Sequence, residues 1–299
     1  MTVAIHTEGL TKFYGKERGI VDLDLDVYEG EVFGYLGPNG AGKTTTIRLL
    51  LDLLRPTRGT SRVLGKHPYF DGVGVRSDIG YLPGELALYG NLSGEQLLTY
   101  ISHLRKMDGL GDAPRLAEQL ELDLSRPVGD LSSGNKQKVG LVQAFMDRPK
   151  VLILDEPTGG LDPLMQQEFY RLVHEAKGEG RTVFLSSHVL SEVERMADRV
   201  GIIRQGKMVV VEQLETLKER APRRLELHFA APVSGSDFEA LDNVEDIAVD
   251  GSVMSCRVVG SLDELIKVAA RFEVTNVVSH EADLEELFLQ YYRGAEDVS

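Results

Sequence analysis

From Val21 to Tyr28 the chain alternates: Val21, Leu23, Leu25 and Val27 fall on one side, Asp22, Asp24 and Asp26 on the other. That period of two predicts a half-buried strand over 21–28. The Glu29-Gly30 turn leads into a second strand over 31–36. A glycine-rich turn follows, then a helix over 42–54 that Arg55-Pro56-Thr57 stops. Further strand patterns cover 78–82, 151–154, 182–185 and 200–203, with helical patterns such as 163–177 and 189–197 among them. Strands alternating with helices predict an α/β core on a parallel sheet.

The stretch 92–148 carries helical periodicity alone. Ser93-Gly94-Glu95-Gln96 is a capping-box sequence, and Leu97, Leu98, Ile101 and Leu104 define the apolar side of the helix it opens. Two more helices are expected over 112–121 and 135–146, so the segment reads as a helical insertion in the core. After Ala221-Pro222 the pattern changes again. Strands are expected at 224–230, 244–249, 253–259 and 274–280, and helices at 235–241, 261–271 and 283–292. The order β-α-β-β-α-β plus a last helix predicts a small ferredoxin-like α+β domain. Two domains are therefore expected, 1–220 and 221–299. The acidic end of the second (Glu281, Asp283, Glu285, Glu286) is expected to be a solvated helix face.

Composition narrows the partners. The chain has 299 residues, with 47 acidic against 33 basic side chains and a net charge of −14. Phosphate backbones need clustered Lys and Arg, so no nucleic acid is expected as a partner. A single cysteine, Cys256, excludes an internal disulfide and a cysteine-based zinc site, and fits a reducing cytoplasm. The clearest apolar runs, 151–154 and 208–211, fall far short of the roughly 20 residues that cross a bilayer. The N-terminus lacks the charged, apolar and small-residue succession of a signal peptide.

Two motifs carry chemistry. Gly37-Pro38-Asn39-Gly40-Ala41-Gly42-Lys43-Thr44 is G-x-x-x-x-G-K-[ST] in full, after a strand and at the start of a helix. Its glycines let backbone N–H groups and the helix N-terminus wrap a phosphate chain. Lys43 is expected to reach the β- and γ-phosphates and Thr44 to ligate Mg²⁺. Val151-Leu152-Ile153-Leu154-Asp155-Glu156 delivers two carboxylates at the C-terminal end of a buried strand, where α/β sheets hold their ligands. Asp155 suits the Mg²⁺ shell and Glu156 a general base that polarises water. A strand ending in Asp-Glu is alone as readily a solvated strand end; the phosphate loop gives it meaning.

With these in place the chain resembles the ATP-binding subunit of an ABC transporter. Leu131-Ser132-Ser133-Gly134-Asn135 resembles the family's L-S-G-G-Q signature, with Ser133 for the first glycine of the pair and Asn135 for the glutamine. Gly159-Gly160-Leu161-Asp162-Pro163 resembles the D-loop, His188 the switch histidine, and Tyr14 the aromatic that stacks on adenine. Singly, each of these has a bland reading: turn chemistry, a bonded helix-boundary histidine, a packing tyrosine. Their order along residues 1–220 carries the resemblance.

The resemblance implies a P-loop ABC ATPase that binds ATP with Mg²⁺. It implies nucleotide contacts from Tyr14, Gly37, Asn39, Gly40, Ala41, Gly42, Lys43, Thr44 and Thr45. From a second cassette, in a homodimer or a mixed pair closed head to tail, it implies Ser132, Gly134 and Asp162. Lys43, Glu156 and His188 are the implied catalytic residues, and Thr44 with Asp155 the metal ligands. One departure stands out: after Tyr81-Leu82-Pro83 the family usually has a Mg²⁺-touching glutamine, and here Gly84 is followed by Glu85. Either Glu85 takes over that polar contact to Mg²⁺ or the loop couples differently.

The segment 81–85, the variant signature and the tail at 284–288 are similar to ATPases of ABC-2-type exporters, with drug and antibiotic exporters nearest. A membrane-spanning permease is then the expected partner, with the chain in the cytoplasm at the inner face of the membrane. The segment Gly84–Asn91 and the helical insertion are the expected docking groove. The rival is a soluble ABC ATPase with no transport role. Against it, the chain has neither the long coiled-coil insertion of DNA-repair types nor the paired cassettes of translation types.

Overall fold

The computed structural model describes residues 2–280; the helix expected at 283–292, its acidic end and the tail match at 284–288 lie outside them. The chain forms two compact units, one ending at Val211 and the next starting at Glu212. The first opens on an antiparallel hairpin, β1 (Val3–Tyr14) and β2 (Glu17–Tyr28). Leu23, Leu25 and Val27 are buried as the alternation requires, but at Asp22 the backbone turns left-handed (φ 49°) and the register slips. Ile20 rather than Val21 is therefore buried, the signature of a bulge. β1 escapes the sequence pattern because Thr7 and Thr11 occupy buried positions in it.

The chain continues through β3 (Val32–Leu36) and α1 (Lys43–Leu50), then returns in β4 (Arg58–Val63), giving a three-stranded sheet in the order β2-β1-β4. α1 is shorter than expected: Asp52 takes a left-handed φ of 59°, and Leu53 and Leu54 bond back to the Arg48 carbonyl. α2 (Gly72–Arg76) and β5 (Ile79–Leu82) lead to the insertion, helices α3 (Gly94–Arg105), α4 (Ala113–Gln119) and α5 (Ser133–Phe145). The core is completed by β6 (Val151–Asp155), α6 (Pro163–Gly178), β7 (Thr182–Ser187), α7 (Leu190–Glu194), β8 (Arg199–Arg204) and β9 (Lys207–Gln213).

The main sheet runs β5-β6-β7-β3-β8-β9, with β5, β6, β7, β3 and β8 parallel along their pairings. Every residue of β3, β6 and β7 is buried, as expected of a sheet covered on both faces. Phe184 stacks on Phe33 at 5.8 Å and meets Tyr35 at a tilt, 5.2 Å between ring centroids. In the insertion the capping box is complete: Gln96 N donates to Ser93 Oγ (3.2 Å) and Ser93 N to Gln96 Oε1 (2.9 Å). Leu97 and Leu98 are buried, yet Leu104 is 64% exposed. The last turn of α3 is held instead by Arg105, which bonds Asp147 and the carbonyls of Ser77 and Ile79.

The second unit contains α8 (Leu214–Arg220), β10 (Arg223–Phe229), β11 (Val244–Asp250), β12 (Val253–Val258), α9 (Asp263–Ala269) and β13 (Val274–Ser279). Its four strands pair antiparallel in the order β11-β12-β10-β13, the ferredoxin-like order. The helix expected over 235–241 is only a 3-10 turn, Gly235–Asp237. Ser234, Gly235, Ser236 and Asp237 favour local turns over helix, and the two serine hydroxyls bond each other at 2.8 Å. Phe238 then packs with Leu225, Leu227, Phe229 and Leu265 in the core. Cys256 is buried there, and burial pushes its thiol pKa up to about 11. No helix among the described residues is long and apolar enough to cross a membrane.

Candidate active site

The parallel strands β3, β6 and β7 bring their C-terminal ends side by side, and the site is built on these ends. The loop leaving β3 is tied down by Gly37 N to Ser187 O (3.3 Å) and Gly206 N to Ala41 O (2.8 Å). Gly42 precedes α1 at φ 113°, a region closed to other residues, and an added Cβ would lie 2.7 Å from Ile20. No side chain caps α1, so its first amides are free to face an anion. Lys43, nearly buried, donates to the carbonyls of Gly37 (2.7 Å) and Pro38 (3.3 Å). Its ammonium thus lies folded along the loop, 3.1 Å from Glu156 Oε1.

β6 brings the two carboxylates. Asp155 is 1% exposed: its Oδ2 accepts from the Thr44 hydroxyl at 2.8 Å, and its Oδ1 from the Ser186 hydroxyl. Glu156 turns sharply, in a left-handed conformation (φ 50°) that costs a non-glycine residue about 1 kcal/mol or more. Its amide is held by the carbonyl and hydroxyl of Ser186, each at 3.2 Å. The turn aims its carboxylate so that Oε1 meets Lys43 and Oε2 meets His188 Nδ1 at 2.7 Å. His188 is half-exposed, so the triad Lys43–Glu156–His188 opens toward solvent.

A cleft of about 500 Å³ lies over these groups. Tyr14, Asn39, Gly40, Gly42, Lys43, Thr44, Thr45, Gly84, Glu85, Asp155, Glu156 and His188 all line it. Tyr14, exposed, reaches Thr45 Oγ1 at 3.3 Å and has Lys12 Nζ 5.6 Å from its ring centroid. Gly37 and Ala41 are not among the lining residues. Burial and the charge of Asp155 raise the pKa of Tyr81 at the cleft wall. Gly84 passes so close to Asp155 that a Cβ would stand 3.3 Å from Oδ2.

For a divalent cation the donor set is Thr44 hydroxyl with Asp155 carboxylate, hard oxygens already 2.8 Å apart. Among the described residues no cluster of three or more His, Cys, Asp or Glu side chains is placed to hold a metal. Such a site fits Mg²⁺, which takes one or two protein oxygens and completes its shell with phosphate and water.

Ser132, Gly134 and Asp162 do not line this cleft. Ser132 caps α5 through Asn135 N, and Asp162 caps α6 through the amides of Leu164 and Met165. Gly134 abuts the D-loop: a Cβ there would lie 2.6 Å from Gly160 O. Gln137, one turn along α5, donates to the Pro157 carbonyl at 2.9 Å. Ser186 lies in none of the motifs; its one signal in the sequence is the polar pair that closes the apolar run Val183-Phe184-Leu185.

A family profile described as ABC transporter matches residues 20–159. The bacitracin transport ATP-binding protein BcrA of Bacillus licheniformis is 34% identical over 98% of this chain and 99% of its own length. The protein of the same name from Enterococcus faecalis is 32% identical over 98% of each chain. A solved ATP-binding subunit of an ABC transporter superposes with a TM-score of 0.68 at 30% identity, covering 73% of this chain and 92% of that one. A dimeric bacterial ABC transporter cassette shares the fold at a TM-score of 0.65 and 22% identity, over 70% of this chain and 98% of its own.

Proposed function

The chain belongs to the ABC transporter family of ATP-binding subunits, ATPases coupled to transport, and we propose that it powers an ABC-2-type exporter of drugs or antibiotics. The observation that carries the hydrolytic assignment is Glu156, held between Lys43 at 3.1 Å and His188 at 2.7 Å at the open end of the cleft. The near-full-length likeness to bacitracin transport subunits supports the cargo class.

ATP stacks its base on Tyr14 and lays its phosphates along the amides of the loop from Gly37 to Thr45. Lys43 leaves the Gly37 and Pro38 carbonyls for the phosphates, where its charge offsets the charge that develops in the transition state. Thr44 and Asp155 would hold Mg²⁺, with Glu85 covering the place where Gly84 offers no side chain. Held there, Mg²⁺ would supply positive charge beside the phosphates. Glu156 orients water and takes its proton, and His188 keeps that carboxylate aimed. A second cassette closes head to tail and supplies Ser132, Gly134 and Asp162. The helix N-terminus at Gly134 then offers free amides to the γ-phosphate. We place the permease on residues 84–91 and the insertion, where Tyr89, Tyr100 and Leu104 are exposed and the two tyrosines pack edge to face at 5.9 Å. That partner holds the chain at the inner face of the membrane.

Glu156→Gln is expected to slow hydrolysis by about 10²- to 10⁴-fold while ATP still binds. Lys43→Ala is expected to weaken ATP binding by roughly tenfold to a hundredfold, the loss of a charged hydrogen bond. Full turnover in the first, or unchanged affinity in the second, removes the residue from its role. Extraction of the tagged protein from native membranes tests the exporter assignment. A stoichiometric multi-span partner by mass spectrometry supports it, and soluble partners alone restore the soluble-ATPase reading.

A further inference from the structure

Glu192 lies in the first turn of α7, four residues past His188. Its carboxylate accepts from two sides: Oε1 from the Thr158 hydroxyl at 2.6 Å and Oε2 from the Ser187 hydroxyl at 2.8 Å. Thr158 stands two residues after Glu156 on the loop that leaves β6, and Ser187 stands immediately before His188 at the end of β7. Both hydroxyl residues are buried, so the carboxylate replaces water on each. One side chain thus spans the two chain exits that carry the Glu156–His188 pair.

Both exits need such a tie. Glu156 sits in a left-handed conformation that persists only where its surroundings over-determine it. Gln137 holds the following loop from the α5 side, and Glu192 holds it from the α7 side. The Ser187 hydroxyl also accepts Val189 N at 2.9 Å, closing the turn that aims His188. Two hydroxyls donating to one carboxylate make stronger bonds than neutral pairs would.

We propose that Glu192 is a positioning residue for hydrolysis: by tying Thr158 to Ser187 it sets the distance at which Glu156 meets His188. This rests on the hydrolytic roles given to those two residues above. Neither hydroxyl belongs to the phosphate loop, which meets this tie only through Gly37 N on the Ser187 carbonyl, so turnover responds to its loss more than nucleotide binding does.

The test measures ATP binding, hydrolysis and thermal stability in the full-length chain. Glu192→Ala is expected to lower kcat by about 10- to 100-fold and to change ATP affinity by less than about threefold. Glu192→Gln is expected to recover most of the rate, because its amide oxygen accepts from one hydroxyl while its N–H donates to the other. Thr158→Val is expected to lower kcat less, and the double variant Thr158→Val with Glu192→Ala to be no slower than Glu192→Ala alone. An unchanged kcat, fully additive effects, or equal losses of kcat and ATP affinity with a lowered Tm would overturn the proposal. Glu156→Gln measured alongside separates the two readings. If it retains turnover, the role of Glu156 falls; if it is inactive while Glu192→Ala is not, only the positioning role falls.

Discussion

Asp155 shows how much of this site is decided atom by atom. Both its oxygens are committed within the protein, one to Thr44 and one to Ser186, and it is almost wholly buried. Ser186→Ala leaves a buried carboxylate oxygen without its donor, which costs about 1–3 kcal/mol. The expected result is an equivalent fall in unfolding free energy by chemical denaturation. Lys43, Thr44, Asp155 and Glu156 were legible because each sits inside a contiguous motif whose spacing implies its chemistry. Ser186 and Glu192 were not. The Asp155 partner of Ser186 and the Thr158 partner of Glu192 are 31 and 34 residues away in sequence, and neither residue type is unusual at a strand end or in a helix's first turn.

Elements were legible where burial follows a clean period and illegible where a local device breaks it. The Ser93 cap was visible as a four-residue string, and Ser93→Ala is expected to cost about 1 kcal/mol in thermal unfolding. β1 stayed hidden behind its buried threonines, and the 235–241 helix failed because its first residues prefer turns. The insertion's join to the core offers a pH test. Burial tends to raise the pKa of Asp112, but the hydrogen bond and charge of Arg148, with Arg115 beside it, outweigh burial and hold the carboxyl below its ordinary range. The folded state therefore binds this proton less tightly than the unfolded chain. Its stabilisation is complete above the unfolded pKa and is lost as pH falls through the folded one. Asp112→Asn is expected to cost up to about 1 kcal/mol at pH 7 and progressively less below pH 4, read from denaturation midpoints across that range. Gly134→Ala belongs here as well. Its methyl group meets the Gly160 carbonyl, and about 1–3 kcal/mol of stability is expected to go with the fit of α5 against the D-loop.

At the scale of the molecule, the α/β core and the four-stranded second unit were both foreseeable, since alternation of strands and helices separates one from the other along the chain. The compact units divide at Val211–Glu212, whereas the change of sequence pattern lies near 221, because α8 is a short helix between β9 and β10 whose own pattern gives no sign of which unit holds it. The second unit carries its own reporter. Cys256 is buried and its thiol ionises only near pH 11, so alkylation at pH 8 is expected to be slow and to accelerate when that unit opens. Rapid native-state alkylation would show that the four-stranded sheet is open far more often than its packing implies. The same silence has a practical side. A chain whose only native thiol is shielded accepts a dye or spin label wherever a new cysteine is placed on its surface, with little background signal. A label on each of two copies would then read their separation directly as nucleotide is added and consumed.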